Sequence, residues 1–301
     1  MTFLRDRQNL TLFLLATAIL ILTILLTITL FKESDAEIPE IPELPELKKP
    51  GTEKVIVVPS ENTPTTTTHI TPEITLFKYA EVTDGCDIHF ADDCLLVRSG
   101  PGLDFPVVYR LRNGIVLRVT DEVEHDGRLW YKIIFDEWLR YPDRITGDWY
   151  VAAEYVETFY DEGTRTTWEN EYLTSPLKKI IVDRKKQILT AYDNETIFME
   201  IPISTGLELT PTPQGTFTIY KKTPSRYMQG PLPGLADQQS YDLPGVPWNL
   251  YFTEGGAVIH GAYWHNNFGS QYSHGCVNVI PQEARKLYYW AELGTQVIVK
   301  N

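Results

Sequence analysis

The sequence predicts a mainly β protein in which two folded regions follow an apolar segment and a proline-rich segment. From about residue 76 onward, short β-branched and aromatic runs are separated by turn-forming pairs such as Asn113-Gly114 and Asp126-Gly127, a pattern typical of hairpins. The C-terminal region contains one convincing helical pattern, which begins at Pro281. A length of 301 residues with 43% hydrophobic content is enough for two domains of ordinary size.

The apolar segment, residues 11–31, is predicted to be a membrane anchor. It begins at Thr11, ends at Phe31, carries no charge, and would span about 30 Å as a helix. Arg5 and Arg7 precede it and acidic residues follow, so the positive-inside rule predicts a single-pass protein with a cytoplasmic N-terminus within residues 1–32 and an extracytoplasmic remainder. A cleaved signal peptide or a buried core helix are the alternatives; the run exceeds the usual signal-peptide length and no small-residue cleavage site follows.

Residues 33–75 are predicted to be an extended spacer. Seven prolines, a threonine run and alternating acids leave too few apolar side chains for a core and favour polyproline II backbone. The formal net charge of the chain is −13, with no long basic run, which argues against nucleic acid as a partner.

Residues 76–160 form the first predicted domain. The stretch LLVRSGPGLDFPVVYRLRNGIVLRV, residues 95–119, resembles the bacterial SH3-like domain, a small β-barrel often attached to cell-wall enzymes. This resemblance implies a possible role in wall binding. The aromatic residues of the region either form a platform for a glycan or peptide or, as we expect for most of them, fill a small core.

Two of the three cysteines, Cys86 and Cys94, lie eight positions apart in this domain and are predicted to form a structural disulfide in an extracytoplasmic protein. Cys276 is then the odd thiol and is expected to stay free. The neighbouring acids suggest a calcium site as an alternative, but they lack the ligand spacing of a known loop and are interpreted as solvated; they are Asp84, Asp87, Asp92 and Asp93.

Residues 161–175 are polar and are predicted to join the two domains, the second of which covers residues 176–301. The sequence pattern of this second domain predicts a series of β-hairpins, followed near the C-terminus by the predicted helix. That helix has Glu283 near its positive end and stops at Gly294. The helix follows the motif described next and is expected to brace it. Its predicted buried face consists of Ala284, Leu287, Tyr288 and Ala291.

Residues 260–278, HGAYWHNNFGSQYSHGCVN, have the composition that thiol chemistry requires. A thiol with an ordinary pKa of about 8.5 needs an imidazole or a field of backbone amides to react at neutral pH. His260 and His274 supply imidazole groups. Gly275, next to Cys276, supplies the backbone amides, because glycine lets N–H groups approach a developing oxyanion.

This motif resembles the signature of the L,D-transpeptidase catalytic domain, the YkuD-like family. The matching residues are His260, Ser273, His274, Gly275, Cys276, Val277 and Asn278, and the resemblance extends to residues 204–207, 211–217 and 243–248. It implies a β-sandwich-type domain in which Cys276 is the nucleophile, His260 its base, and the Gly261 carbonyl the group that orients His260. His274 is then a site-shaping residue, and Trp264, His265, Ser273 and Asn278 line the substrate groove.

Residues 220–252, rich in glycine, proline and glutamine, read as a long loop of the kind that is usually a functional lid or disordered. In the family a lid crosses the groove here. The implied lid or groove residues are Tyr227, Met228, Tyr241 and Trp248.

The resemblance implies that peptidoglycan stem peptides are donor and acceptor, that the enzyme forms a cysteine thioester and passes the acyl group to an amine, and that no cofactor is needed. With water as acceptor the protein would be an L,D-carboxypeptidase. Two further alternatives are a metal site and a non-catalytic wall-binding protein. The metal site would use His260, His265, His274 and Cys276, whose spacing matches no common zinc pattern.

Overall fold

The computed structural model describes residues 74–88, 94–167, 175–231 and 240–301, and within these ranges the protein is mainly β, as predicted. Its one α-helix in that part of the chain is α1 (Pro281–Trp290), and short 3-10 helices lie at Pro142–Arg144 and Ala153–Tyr155. The strands are β1 (Phe77–Val82), β2 (Leu95–Arg98), β3 (Val107–Leu111), β4 (Val116–His125), β5 (Arg128–Ile134), β6 (Trp149–Ala152), β7 (Val156–Asp161), β8 (Arg165–Thr166), β9 (Ser175–Asp183), β10 (Ile188–Asp193), β11 (Thr196–Pro202), β12 (Gly215–Thr218), β13 (Lys221–Pro231), β14 (Ser240–Tyr251), β15 (Val258–Gly261), β16 (Val277–Val279) and β17 (Thr295–Lys300).

The first sheet contains seven strands in the order β3-β2-β6-β5-β4-β1-β7, and every pairing in it is antiparallel. This sheet covers the region predicted to be an SH3-like barrel. Trp130, Tyr131 and Trp149 are buried in it, whereas Trp138 is 81% exposed, so three of the aromatic side chains contribute to the core rather than to a surface platform. The predicted disulfide between Cys86 and Cys94 is present.

Two five-stranded sheets form the second half of the described chain. The second sheet has the order β11-β10-β9-β17-β12 and the third has the order β16-β15-β14-β13-β8. Buried residues recur at every second position in their strands, such as Ile180 and Val182 in β9 and Val297 and Val299 in β17, because alternate side chains face one side of a sheet. These faces pack together with α1 around one core, as expected of a β-sandwich.

Helix α1 begins at Pro281, as predicted, with Glu283 in its first turn. Its C-terminal carbonyls are bound by a buried lysine, because Lys222 Nζ donates to Tyr288 O at 2.7 Å and also to Ala291 O. A cation at this end of a helix is favourable since the helix dipole is negative there. The helix ends at Trp290, four residues before the expected stop at Gly294. The predicted buried face is confirmed for Ala284, Leu287, Tyr288 and Ala291.

The interpretation of residues 220–252 as a long loop is wrong for most of that range. β13 and β14 pair as a long antiparallel hairpin, with a register shift between Arg226 and Met228. The strands are not recognised in the sequence because they contain Pro224, Pro244 and Pro247. Proline has no N–H to donate to a neighbouring strand, so its presence argues against a strand. Residues 232–239, at the tip, lie outside the described residues.

The hairpin of β13 and β14 lies directly against the first sheet, and all described residues belong to one compact unit. Val246 and Tyr263 are buried within the hydrophobic cluster of the first sheet. Ser225 Oγ donates to Val116 O at 2.6 Å, and Gly245, at φ +61°, lies so close to β4 that an added Cβ would be 2.5 Å from Val116 O. The two halves therefore share a packed interface.

Among the described residues no helix is long and apolar enough to cross a membrane. Helix α1, with its ten residues, would reach only about 15 Å, half the thickness of a bilayer core. The predicted single-pass location, with a cytoplasmic N-terminus and an extracytoplasmic catalytic domain, is contradicted by this finding. The anchor predicted at residues 11–31 and the spacer up to residue 73 lie outside the described residues.

Candidate active site

Two short parallel strands bring His260 and Cys276 together. β15 and β16 pair so that Ile259 lies opposite Val277 and His260 opposite Asn278. Cys276 directly precedes β16 and therefore lies opposite Val258, two residues before His260. Because residues two apart in a strand share a face and opposed residues do too, the side chains of Cys276 and His260 lie on the same face as diagonal neighbours.

His260 is held in the tautomer that a general base requires. Its side chain is buried and its Nδ1 lies 3.0 Å from Gly261 O. A carbonyl oxygen can only accept, so Nδ1 carries the proton and Nε2 of the neutral ring has a free lone pair. Nε2 is buried and forms no hydrogen bond within the described structure. Burial is the main cause that lowers the pKa of His260 to about 4, which keeps the ring neutral.

The Cys276 thiol is half-buried and free. Its Sγ lies 3.8 Å from Gly256 O. Burial raises the pKa of the thiol above its ordinary value, and the backbone N–H of Val258 and the charge of Arg226 offset that effect only in part. At neutral pH the site therefore holds a neutral thiol beside a neutral imidazole rather than a preformed ion pair.

The loop that carries the thiol is fixed by hydroxyl groups. Ser273 Oγ donates to Cys276 O at 2.5 Å, and Thr212 Oγ1 lies 3.3 Å from the same carbonyl. Gly206 N–H donates to Thr212 Oγ1 at 2.9 Å, so the segments that surround residues 206 and 212 support the loop. Gly275 has φ +119°, a conformation that favours glycine, and its N–H donates to Ser273 Oγ at 3.2 Å.

His265 and Asn278 form a buried pair behind the site. Asn267 N–H donates to His265 Nδ1 at 3.1 Å, so the proton of the neutral ring is on Nε2. His265 Nε2 is 2.8 Å from the Asn278 side-chain amide, which must present its oxygen to accept that proton. Burial lowers the pKa of His265 to about 4. This pair holds the 265–268 turn against β16.

Of the other predicted groove residues, Trp264 lies beside His260 and Tyr241 lies near Cys276. The Trp264 ring is half-buried, with its centroid 5.6 Å from that of His260. Tyr241 is half-buried and close enough to Cys276 for the thiol charge to contribute, after burial, to the raised pKa of the phenol. His274 is exposed to solvent.

Three predicted lid or groove residues lie elsewhere. Trp248 is fully buried in the core between the sheets, at φ +61°, with Phe159 and Tyr288 against its ring. Tyr227 and Met228 pack towards the first sheet; the Tyr227 ring is 5.0 Å from that of Phe135. The expectation that these three residues cover the groove is therefore corrected. Their strands pair so that the side chains pack between layers rather than over the thiol.

Arg226 is a site residue that sequence reasoning missed. Burial is the largest cause of the pKa shifts of Cys276 and His260, and the charge of Arg226 has a smaller lowering effect on both pKa values, so Arg226 lies near these two side chains. It lies in β13, at a shift in the register with β14, and nothing in the motif marks it. Only the pairing of the hairpin reveals its position.

The described residues contain no group of three or more His, Cys, Asp or Glu side chains placed to hold a metal ion. Asp92 and Asp93, which belong to the calcium alternative, lie outside the described residues.

Comparison with known proteins gives two family matches. Residues 177–299 match the family model of the L,D-transpeptidase catalytic domain, and residues 95–157 match that of the bacterial SH3 domain. A curated relative, L,D-transpeptidase 2 of Mycobacterium tuberculosis, is 30% identical over 132 residues, which are 40% of this chain and 30% of the relative. The chain thus spans less than a third of the length of that relative.

Solved structures with similarity to the chain include the catalytic domain of the Enterococcus faecium L,D-transpeptidase, with 28% identity, a TM-score of 0.37, and coverage of 41% of this chain and 96% of that one. An L,D-transpeptidase of Mycobacterium smegmatis has 20% identity, a TM-score of 0.39, and coverage of 58% and 91%. The chain is thus similar over residues 177–299 to L,D-transpeptidase catalytic domains, and the region that precedes them, residues 95–157, is similar to the bacterial SH3 domain.

Proposed function

We propose that the chain is a peptidoglycan L,D-transpeptidase that joins stem peptides through a thioester on Cys276. The observation that carries this proposal is the orientation of His260, whose Nδ1 faces the Gly261 carbonyl and whose unpartnered Nε2 lies on the face of the sheet that also carries Cys276. Such a pair suits nucleophilic acyl transfer.

In the proposed acylation step, His260 Nε2 takes the thiol proton as Sγ attacks the carbonyl of the L-centre of the diamino acid at position three. The C–S bond forms, the C–N bond to D-Ala breaks, and the imidazolium returns the proton to the leaving amine. The Cys276 N–H is the proposed oxyanion donor. Gly275 N–H, the other candidate, is already bound to Ser273 Oγ.

In the proposed second step, the side-chain amine of a neighbouring stem attacks the thioester. His260 takes a proton from that amine, the C–S bond breaks, and the proton returns to Sγ. Water in place of the amine gives the carboxypeptidase reaction. The first sheet, through its bacterial SH3 match, is proposed to bind the cell wall.

Products made by the full chain from tetrapeptide muropeptides, identified by mass spectrometry, test this proposal. We expect cross-linked dimers together with released D-Ala, and neither product with Cys276→Ala. Release of D-Ala without dimers would establish the carboxypeptidase reaction instead, and the absence of both with wild type would favour a non-catalytic wall-binding protein.

A further inference from the structure

We infer that Lys221 and Arg226 form, around Tyr251, a binding subsite for a carboxylate of the substrate peptide beside Cys276. This inference rests on the proposed function and specifies its substrate class, a donor stem peptide with a free rather than amidated carboxylate close to the bond that is cleaved.

The two cations converge on one aromatic ring. Lys221 Nζ lies 4.8 Å from the centroid of the Tyr251 ring, and the guanidinium carbon of Arg226 lies 5.4 Å from it. Both cationic residues are half-buried and Tyr251 is buried. Because both cations contact the same ring, their positive charges are close to each other.

Neither cation has an acidic partner at salt-bridge distance within the described residues. Two nearby arginines do have an acidic partner, since Arg165 pairs with Asp161 at 3.1 Å and Arg118 pairs with Asp136. Other half-buried cations of the described structure also lack a salt bridge, but Arg98 and Arg112 among them donate to backbone carbonyls. Partial burial of an unpaired charge is costly, and a bound anion would offset that cost.

The subsite is close to the thiol. Lys221 pairs with Tyr251 and Tyr251 pairs with Val258, and Cys276, directly before β16, lies opposite Val258, so the subsite and the thiol lie in one row across the third sheet. Arg226 is near the thiol as well, since its charge contributes, after burial, to the pKa shifts of Cys276 and His260. A peptide carbonyl over Cys276 would therefore place a carboxylate of the same or the next residue within reach of the cations. Arginine suits this task because its planar donors match a carboxylate.

An open space adjoins the subsite. A cavity of about 270 Å³ lies between the first sheet and the hairpin, bordered by Tyr251, Lys221, Ser225 and, from the segment after β5, Phe135 and Glu137. Glu137 is the acid that competes for the cations. Its Oε1 accepts instead from Tyr227 N–H at 2.5 Å, and burial raises its pKa to about 6 in spite of Arg226 and Lys221.

Two alkylating reagents of similar size test the subsite without reference to catalysis. Iodoacetate carries a carboxylate and iodoacetamide does not, so the ratio of their rates at Cys276, followed by intact mass, reports an anion site beside the thiol. We expect Arg226→Gln and Lys221→Gln to lower that ratio roughly tenfold or more, with Arg226→Lys in between, because each removes a charge-assisted contact. Lys300→Gln, at an exposed position of β17, is the control and should leave it unchanged.

The matching substrate test compares tetrapeptide donors that are free or amidated at the diamino acid, and free or amidated at D-Ala. Wild type should show a roughly 10- to 100-fold higher KM for one amidated donor than for the free donor, and Arg226→Gln should lose that preference, so that its KM values for the two donors become similar. The subsite would be overturned if Arg226→Gln slowed iodoacetate and iodoacetamide equally. It would also be overturned if this variant left both the ratio of the two alkylation rates and the donor preference unchanged. Absence of turnover with an altered alkylation ratio would instead refute only the proposed function.

Discussion

Burial shifts the pKa values of His260 and Glu137 in opposite directions, with opposite consequences for stability. The pKa of His260 is lowered to about 4 in the folded protein. Between pH 4 and 6.5 the unfolded chain therefore binds more protons than the folded chain, and the stability of the fold with its neutral ring is lost as the pH falls. The pKa of Glu137 is raised to about 6, so the folded chain binds more protons between pH 4.5 and 6 and stability is lost as the pH rises.

Glu137→Gln should therefore stabilise the protein at pH 7. Glutamine keeps an oxygen for Tyr227 N–H but removes the cost of a buried charge, so the free energy of unfolding should rise by up to about 2 kcal/mol at pH 7 and change little at pH 4.5. Urea unfolding at both pH values measures this, with the exposed Glu195→Gln as the matched control. Lower stability of Glu137→Gln at pH 7 would show that Glu137 works as an ion-pair partner of Arg226 or Lys221.

At the residue scale, the sequence motif predicted a site that contains His260 and Cys276, and the pairing of β15 with β16 makes these two residues diagonal neighbours. It could not predict Arg226 or Glu137. Their proximity to the site depends on a strand register and on an interface between distant segments, and neither leaves a local pattern.

At the scale of elements, the hairpin of β13 and β14 connects the first sheet with the candidate active site. Gln229 Oε1 accepts from Tyr141 N–H at 3.0 Å, Arg144 donates to Ser240 Oγ at 2.9 Å, and Tyr263 OH donates to Pro244 O at 2.7 Å. Helix α1 was predictable from its proline start and apolar spacing, whereas the hairpin was not, because prolines within it obscure a strand pattern.

Gly245→Ala should weaken this connection. A Cβ at that position would lie 2.5 Å from Val116 O and the φ of +61° disfavours any residue but glycine, so unfolding free energy should fall by roughly 2 to 4 kcal/mol. Thermal unfolding measures the loss. Gly255→Ala is the matched control, since an added Cβ there meets nothing within 4 Å. Equal melting temperatures for the two variants would contradict the close contact between β14 and β4.

At the scale of the whole molecule, the two folded regions predicted from the sequence pack as one compact unit. The β character of both regions followed from alternation and turn residues. The interface did not, because Val246 and Tyr263 look like ordinary core residues until their cluster with the first sheet is seen. A wall-binding first sheet joined to the hairpin in this way would be in direct contact with the elements that carry Arg226 and Tyr241.

The central claim is that neutral His260 deprotonates neutral Cys276 as the thiol attacks. The most direct measurement is the rate of acylation by a carbapenem from pH 6 to 10, followed by intact mass, in wild type, His260→Ala, the bulkier His260→Gln and Cys276→Ala.

Wild type should react at a nearly constant rate across neutral pH, since the pKa of His260 is about 4 and that of the thiol is raised. Both His260 variants should be slower at pH 7 by roughly 100- to 10,000-fold and gain about tenfold per pH unit towards the thiol pKa, while Cys276→Ala forms no adduct. An adduct on Cys276→Ala, or His260 variants that react as fast as wild type at pH 7, would contradict the account.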